Sequence, residues 1–172
     1  MTPLSQGSRR GLAATFAYAF AGLRYAVRTQ STFRLLLIIA VAVAALTVAL
    51  GLSTTRTAIV MLAMALVIAA ELFNTGVEAV VDLLVEQNHH SAAKVAKDIA
   101  AGSVLTTAVA AAVVGVLVLG PPLGEALGLA RGLAVSISRW AAAVLLAAGA
   151  VGFIRLLFGN GNRETGNGRT FS

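Results

Sequence analysis

The stretch Glu71-Leu-Phe-Asn-Thr-Gly-Val-Glu-Ala-Val-Val-Asp82 carries the side chains best suited to chemistry in this 172-residue chain. Glu71, Asn74, Glu78 and Asp82 recur at i, i+3, i+7 and i+11. At about 100° per residue they fall within roughly 80° of one helix face. Thr75 shares that stripe, and Phe73, Val77, Val80 and Val81 occupy the opposite side. The stripe begins inside an apolar run that starts near Ala58. Burying three carboxylates and an amide in such surroundings costs several kcal/mol unless they are paired or hold an ion.

Three uses fit this pattern. It could be a polar seam joining helices, an ion or proton pathway, or part of a site for phosphoryl transfer to an alcohol. The last needs carboxylates to hold magnesium, a cation to steady phosphates and a base to take the hydroxyl proton. Glu78 and Asp82 lie nearer the water and suit a metal–nucleotide complex. Glu71 lies deeper, where a base could meet a lipid hydroxyl. Lys97, followed by Asp98, is a candidate phosphate contact at the start of the next apolar run. His89 and His90 are adjacent, a poor arrangement for one ion, and read better as loop residues than as ligands. No G-x-x-x-x-G-K-[ST] or G-x-G-x-x-G motif occurs, so neither standard phosphate cradle is present.

Composition says what must position these groups. The chain is 58% hydrophobic and 12% charged, with a mean hydropathy of +0.88, well outside the usual soluble range. This predicts an all-α integral membrane protein. With no cysteine there is neither a disulfide framework nor a thiolate metal site. The net charge of +6 could suggest nucleic acid, but the basic residues flank apolar runs, so membrane topology explains them and no nucleic-acid partner is expected.

In chain order, residues 1–8 read as a disordered terminus. Arg9–Arg34 is amphipathic, with Leu12, Phe16, Phe20 and Leu23 at helical spacing, and predicts a helix lying on the membrane surface. Leu35–Leu52 is the first predicted span. Ser53–Thr57 is a polar turn, and the second span runs from Ala58 into the acidic stripe. Glu86–Asp98 reads as a polar connection and Ile99–Leu119 as the third span, stopped by Gly120-Pro121-Pro122. A loop or short helix at Gly124–Gly132 leads to a fourth span, Leu133–Phe158, with Trp140 as an interfacial anchor. Residues 159–172 read as a disordered tail. Lys and Arg cluster at both termini and in the central connection, which predicts those three segments on the cytoplasmic side of a bacterial membrane.

Glu-x-x-Asn-Thr-x-x-Glu-x-x-x-Asp at 71–82, with Ala96-Lys97-Asp98 after it, resembles the small prokaryotic diacylglycerol kinase family, which includes undecaprenol kinases. Tyr18-x-x-x-Gly22-Leu-Arg24 and Phe33-Arg34 extend the resemblance, which covers residues 9–119. It implies a lipid-kinase core there, with 120–158 as an added loop and span. It also implies a homotrimer of three-span subunits with an N-terminal surface helix. ATP and Mg2+ would bind at the cytoplasmic interface, and a lipid alcohol, diacylglycerol or undecaprenol, would enter from the bilayer. Glu71 would be the catalytic base, with Asn74 beside it. Glu78 would bind magnesium and ATP. Lys97, Asp98, Asn88, His89 and Tyr18 would contact ATP, Arg9 and Ser103 the substrate pocket, and Asp82 would complete the polar site.

The chain departs from the family pattern at four places. Gln30 stands where the family usually has a Glu that helps hold the metal and ATP, and a neutral amide is the weaker ligand. Phe73 and Gly76 are unusual within the motif. The Asp82–Lys97 connection is slightly long, which blurs the choice between His89 and His90. The fourth span is extra, and its Gly149 and Gly152 suit close packing. Asn74-Thr75 and the paired histidines lean toward the undecaprenol type. The neutral Gln30 also keeps open a weakened or non-catalytic homologue.

Overall fold

A computed structural model describes residues 11–85 and 91–158. Five helices follow in order: α1 Leu12–Thr29, α2 Ser31–Ala49, α3 Thr54–Val85, α4 Ser91–Ala126 and α5 Arg131–Phe158. Four of them, α2 to α5, are long and apolar enough to cross a membrane. Leu62, Ile99, Leu105 and Val144 are more than half exposed, as expected where lipid is the solvent. α4 is the centre of the bundle, packed on α3 along one side and on α5 along another, and α2 rests on α3.

The amphipathic segment divides at Gln30. Its backbone is extended there (φ −106°, ψ 113°), so it closes α1 and opens α2. Arg34 holds this elbow from the α2 side: its Nη1 donates to the carbonyls of Val27 at 3.2 Å and Arg28 at 3.3 Å. These belong to the last turn of α1, where carbonyls lack helical donors and attract cations. The surface helix is therefore Leu12–Thr29, and the first span begins at Ser31, earlier than the hydropathy suggested.

Two Leu-Gly-Leu tripeptides end helices in the same way. At Gly51 (φ +59°), Leu52 N–H bonds Thr47 O and Gly51 N–H bonds Val48 O. At Gly128 (φ +84°), Leu129 N–H bonds Gly124 O and Gly128 N–H bonds Glu125 O. Each paired closure needs a residue in the left-handed region, where glycine meets no Cβ penalty. The prolines are thus not the stop that the sequence suggested: Pro121 and Pro122 lie inside α4. They leave the carbonyls of Leu117 and Val118 without their i+4 donors. Close packing on α5 compensates, because an added Cβ at Gly120 would lie 2.3 Å from Ser138 Oγ, and one at Gly124 only 2.7 Å from Ala134 Cβ. Ser138 and Ala134 are buried in return, so small residues let the two backbones approach.

The same antiparallel register brings Gly149 against Val109, whose Cγ1 an added Cβ would meet at 3.2 Å. The expected close contact therefore exists at Gly149, whereas Gly152 faces open space. The polar connection is shorter than expected, since residues 91–98 form the first two turns of α4.

At Gly124 the new Cβ would press on another Cβ, which cannot rotate away. Gly124→Ala should therefore destabilise the α4–α5 pair by about 1–3 kcal/mol. Ala134→Gly in the same chain should recover most of the loss, with unfolding in detergent micelles as the measurement. No recovery would place the contact elsewhere.

Candidate functional site

Val60, Val67, Glu71 and Asn74 are the buried positions of one α3 stripe, with Thr75 beside it. The apolar packing face of α3 thus runs without a break into the acidic motif. Glu71 is 5% exposed, Asn74 8% and Thr75 5%, while Phe73 and Val80 point outward. The helical spacing read from the sequence thus places Glu71, Asn74 and Thr75 inward and Phe73 and Val80 outward, whereas Val77 and Val81 are half-buried and Asp82, read on the inner stripe, is exposed. α3 has 32 residues and α4 has 36, about 48 and 54 Å at 1.5 Å per residue. Both exceed a hydrocarbon core of about 30 Å. An apolar core counted from Ala58 ends close to Val77, so Glu71 lies inside its edge and Glu78 and Asp82 beyond it.

Two contacts organise the polar groups. Asn74 Nδ2 donates to Glu78 Oε1 at 3.0 Å. Lys97 Nζ donates to Asp82 Oδ1, an ion pair that joins the end of α3 to the beginning of α4. Lys97 was read as a phosphate contact, and here its partner is a carboxylate. Both side chains of the pair are more than a third exposed, so the pair orients the helix ends more than it stabilises them. In the antiparallel register it sets, Glu78 is level with Ala101 and Thr75 with Val104. Ser103 lies in that layer, exposed, and donates to Ala100 O at 2.6 Å. Thr106 and Thr107 likewise donate back to their own helix, so all three hydroxyls keep acceptor capacity only.

Among the described residues, Asn74 Oδ1 and Thr75 Oγ1 are buried without a hydrogen-bond partner. Buried polar atoms are rarely left so. Thr75 lies on the sequence stripe, but nothing in its spacing marked it as a site residue; burial does.

The remaining expected residues are more dispersed. Asp98 is exposed next to Lys97, and Gln30 is partly exposed at the α1–α2 elbow. Tyr18 is 64% exposed on α1, a helix that touches α3. Arg9, Asn88, His89 and His90 lie outside the described residues. Among the described residues, no three His, Asp or Glu side chains gather as a metal cluster. The donor set at Glu78 still fits magnesium, which takes one or two carboxylates and otherwise keeps water and phosphate oxygens. Asn74 orients one oxygen of Glu78, and the other has no hydrogen-bond partner among the described residues.

Comparison with known proteins covers the same region. The sequence profile of the prokaryotic diacylglycerol kinase family matches residues 17–119, more than half of the chain. A diacylglycerol kinase of Synechocystis sp. is 46% identical over 112 residues, which is 65% of this chain and 64% of that protein. An undecaprenol kinase of Bacillus subtilis is 47% identical over 53 residues, 31% of this chain and 42% of its own length. The chain thus spans a little under two thirds of the first relative. No solved structure matches the chain. The match contains the whole acidic motif, the Lys97-Asp98 pair and the elbow at Gln30, and it ends where α5 has yet to begin: this chain belongs to the prokaryotic diacylglycerol kinase family.

Proposed function

We propose that the chain is an ATP-dependent lipid kinase that phosphorylates a membrane lipid alcohol, diacylglycerol or undecaprenol. The observation that carries this reading is the layering of the α3 stripe. A buried carboxylate, Glu71, with the orphaned Asn74 Oδ1 and Thr75 Oγ1, lies one to two turns below Glu78. The deep groups face where a lipid hydroxyl can reach. The outer ones face where a nucleotide can.

In this mechanism the lipid hydroxyl donates to Glu71, which takes its proton as the oxygen attacks the γ-phosphorus. The bond from that phosphorus to the bridging oxygen of the β-phosphate breaks, and ADP leaves. Asn74 and Thr75 orient the hydroxyl and the carboxylate. Magnesium, held by Glu78 with Gln30 as a weak second ligand, would neutralise charge on the phosphate oxygens. Lys97, with Asp98 and Tyr18, and with Asn88 and His89 beyond the described residues, would hold the nucleotide. Arg9 and Ser103 would border the lipid. Asp82 keeps Lys97 in the layer. A homotrimer in the cytoplasmic membrane, with both termini cytoplasmic, fits the apolar surface left on each helix and the charge distribution.

The Gln30 position motivates a second reading, a catalytically weakened homologue. Incubating the purified protein with labelled ATP and a panel holding diacylglycerol and undecaprenol separates the two. Label should appear on one lipid, and Glu71→Gln should lower it by about 10²–10⁴-fold while ATP affinity stays nearly unchanged. No label from a folded protein at saturating magnesium would favour the weakened homologue. Flux across liposomes without ATP would favour an ion pathway instead.

Glu78→Gln should raise the magnesium and ATP concentrations needed for half-maximal rate before it lowers the maximal rate. Gln30→Glu should lower the magnesium requirement by about tenfold, the worth of one added charged ligand of roughly 1.4 kcal/mol. If Glu71→Gln and Glu78→Gln lose nucleotide binding equally, the assigned division of roles is wrong.

A further inference from the structure

At the opposite end of the bundle from the acidic motif, the start of α3, the end of α4 and the start of α5 enclose a cavity of about 200 Å³. Arg56, Glu125 and Arg131 are its charged groups, and Pro121, Pro122 and Val135 form part of an apolar wall. Arg131 Nε donates to Glu125 Oε1 at 3.2 Å. Arg56 has no ion pair among the described residues. The cavity therefore holds two guanidiniums against one carboxylate. It lies beside the proline pair of α4, at the level where Gly124 and Ala134 bring α4 and α5 close together. Arg56 and Glu78 are 22 residues apart on one helix, about 33 Å, so the cavity lies at the head-group level of the other leaflet. A second groove on α5 shares Val135 with it and adds Arg139 and Trp140. Trp140 is 73% exposed, and a tryptophan at that depth marks the lipid interface.

We propose that this cavity binds the phosphate of an anionic phospholipid from the leaflet opposite the acidic motif. Guanidiniums match phosphate oxygens as planar forks. Arg56 supplies the unpaired one, and Arg131 turns from Glu125 to share the phosphate. The apolar wall and the Val135–Trp140 groove receive the glycerol and upper acyl carbons, which free phosphate lacks. Five of the eight lining residues lie beyond the family match, Arg131 and Val135 of them on the added helix, while Arg56, Leu117 and Val118 come from the matched region.

The test uses the full chain in phosphatidylcholine nanodiscs containing a minor fraction of phosphatidylglycerol, with bound lipid counted by native mass spectrometry. It uses no ATP, so its result is independent of the kinase reading. The variant R56Q/R131Q should bind phosphatidylglycerol about tenfold more weakly. E125Q should bind it about threefold more tightly, by freeing Arg131 and removing a negative charge; misfolding cannot produce a gain. Excess inorganic phosphate should not displace the lipid. Unchanged binding in R56Q/R131Q, no gain in E125Q, or displacement by inorganic phosphate would each overturn the proposal.

Discussion

A helix in lipid cannot turn carboxylates and amides toward hydrocarbon, and the architecture of this chain follows from that constraint. The stripe of α3 that carries Glu71, Asn74 and Thr75 is also the stripe of Val60 and Val67. Packing the apolar half therefore forces the polar half inward. α4 provides the facing surface. Ala100 is buried there, and the nearby Ser103 and Thr107 are small, with hydroxyls already bonded to their own helix. They add little bulk and no competing donor. Two polar atoms of α3, Asn74 Oδ1 and Thr75 Oγ1, are left buried and unpaired among the described residues.

The two ends of the bundle are built on different principles. At the motif end the helices are joined by an exposed ion pair, Asp82–Lys97, and by an elbow in which Arg34 holds the last carbonyls of α1. Such exposed contacts are weak and reversible. At the far end glycine and alanine bring backbones together, and a positive-φ glycine fixes the exit of α4.

Much of this was legible in the amino-acid sequence. Composition gave the class, and a 100° period gave the buried face of α3 down to the outward Phe73 and Val80. The motif gave the family. Helix ends were less legible, because hydropathy marks where the lipid stops and not where hydrogen bonding stops. Ser31–Arg34 and Ser91–Asp98 are polar yet helical. The proline pair misled for a related reason: a helix tolerates lost donors when packing on a neighbour outweighs them, and that neighbour lies in the next segment. Leu50-Gly51-Leu52 and Leu127-Gly128-Leu129 were the better signal, a repeated tripeptide that closes both helices. The burial of Thr75 and the partner of Lys97 depend on the registry between α3 and α4, which no single-helix period contains.

That registry also explains how an added helix can coexist with the core that the family match covers. α5 packs on α4 through Gly120, Gly124 and Val109, a face distinct from the one that meets α3. Its tightest contacts are far from the acidic stripe, since Gly120 and Gly124 stand at the opposite end of α4 from Lys97. α5 can therefore stiffen the helix that carries Lys97 and Asp98 without placing bulk in the layer of Glu78. At its own start Arg131 joins Arg56 and Glu125. The fourth span thus enlarges the protein toward the other leaflet and leaves the polar layer to α3 and α4, the two helices whose pairing defines it.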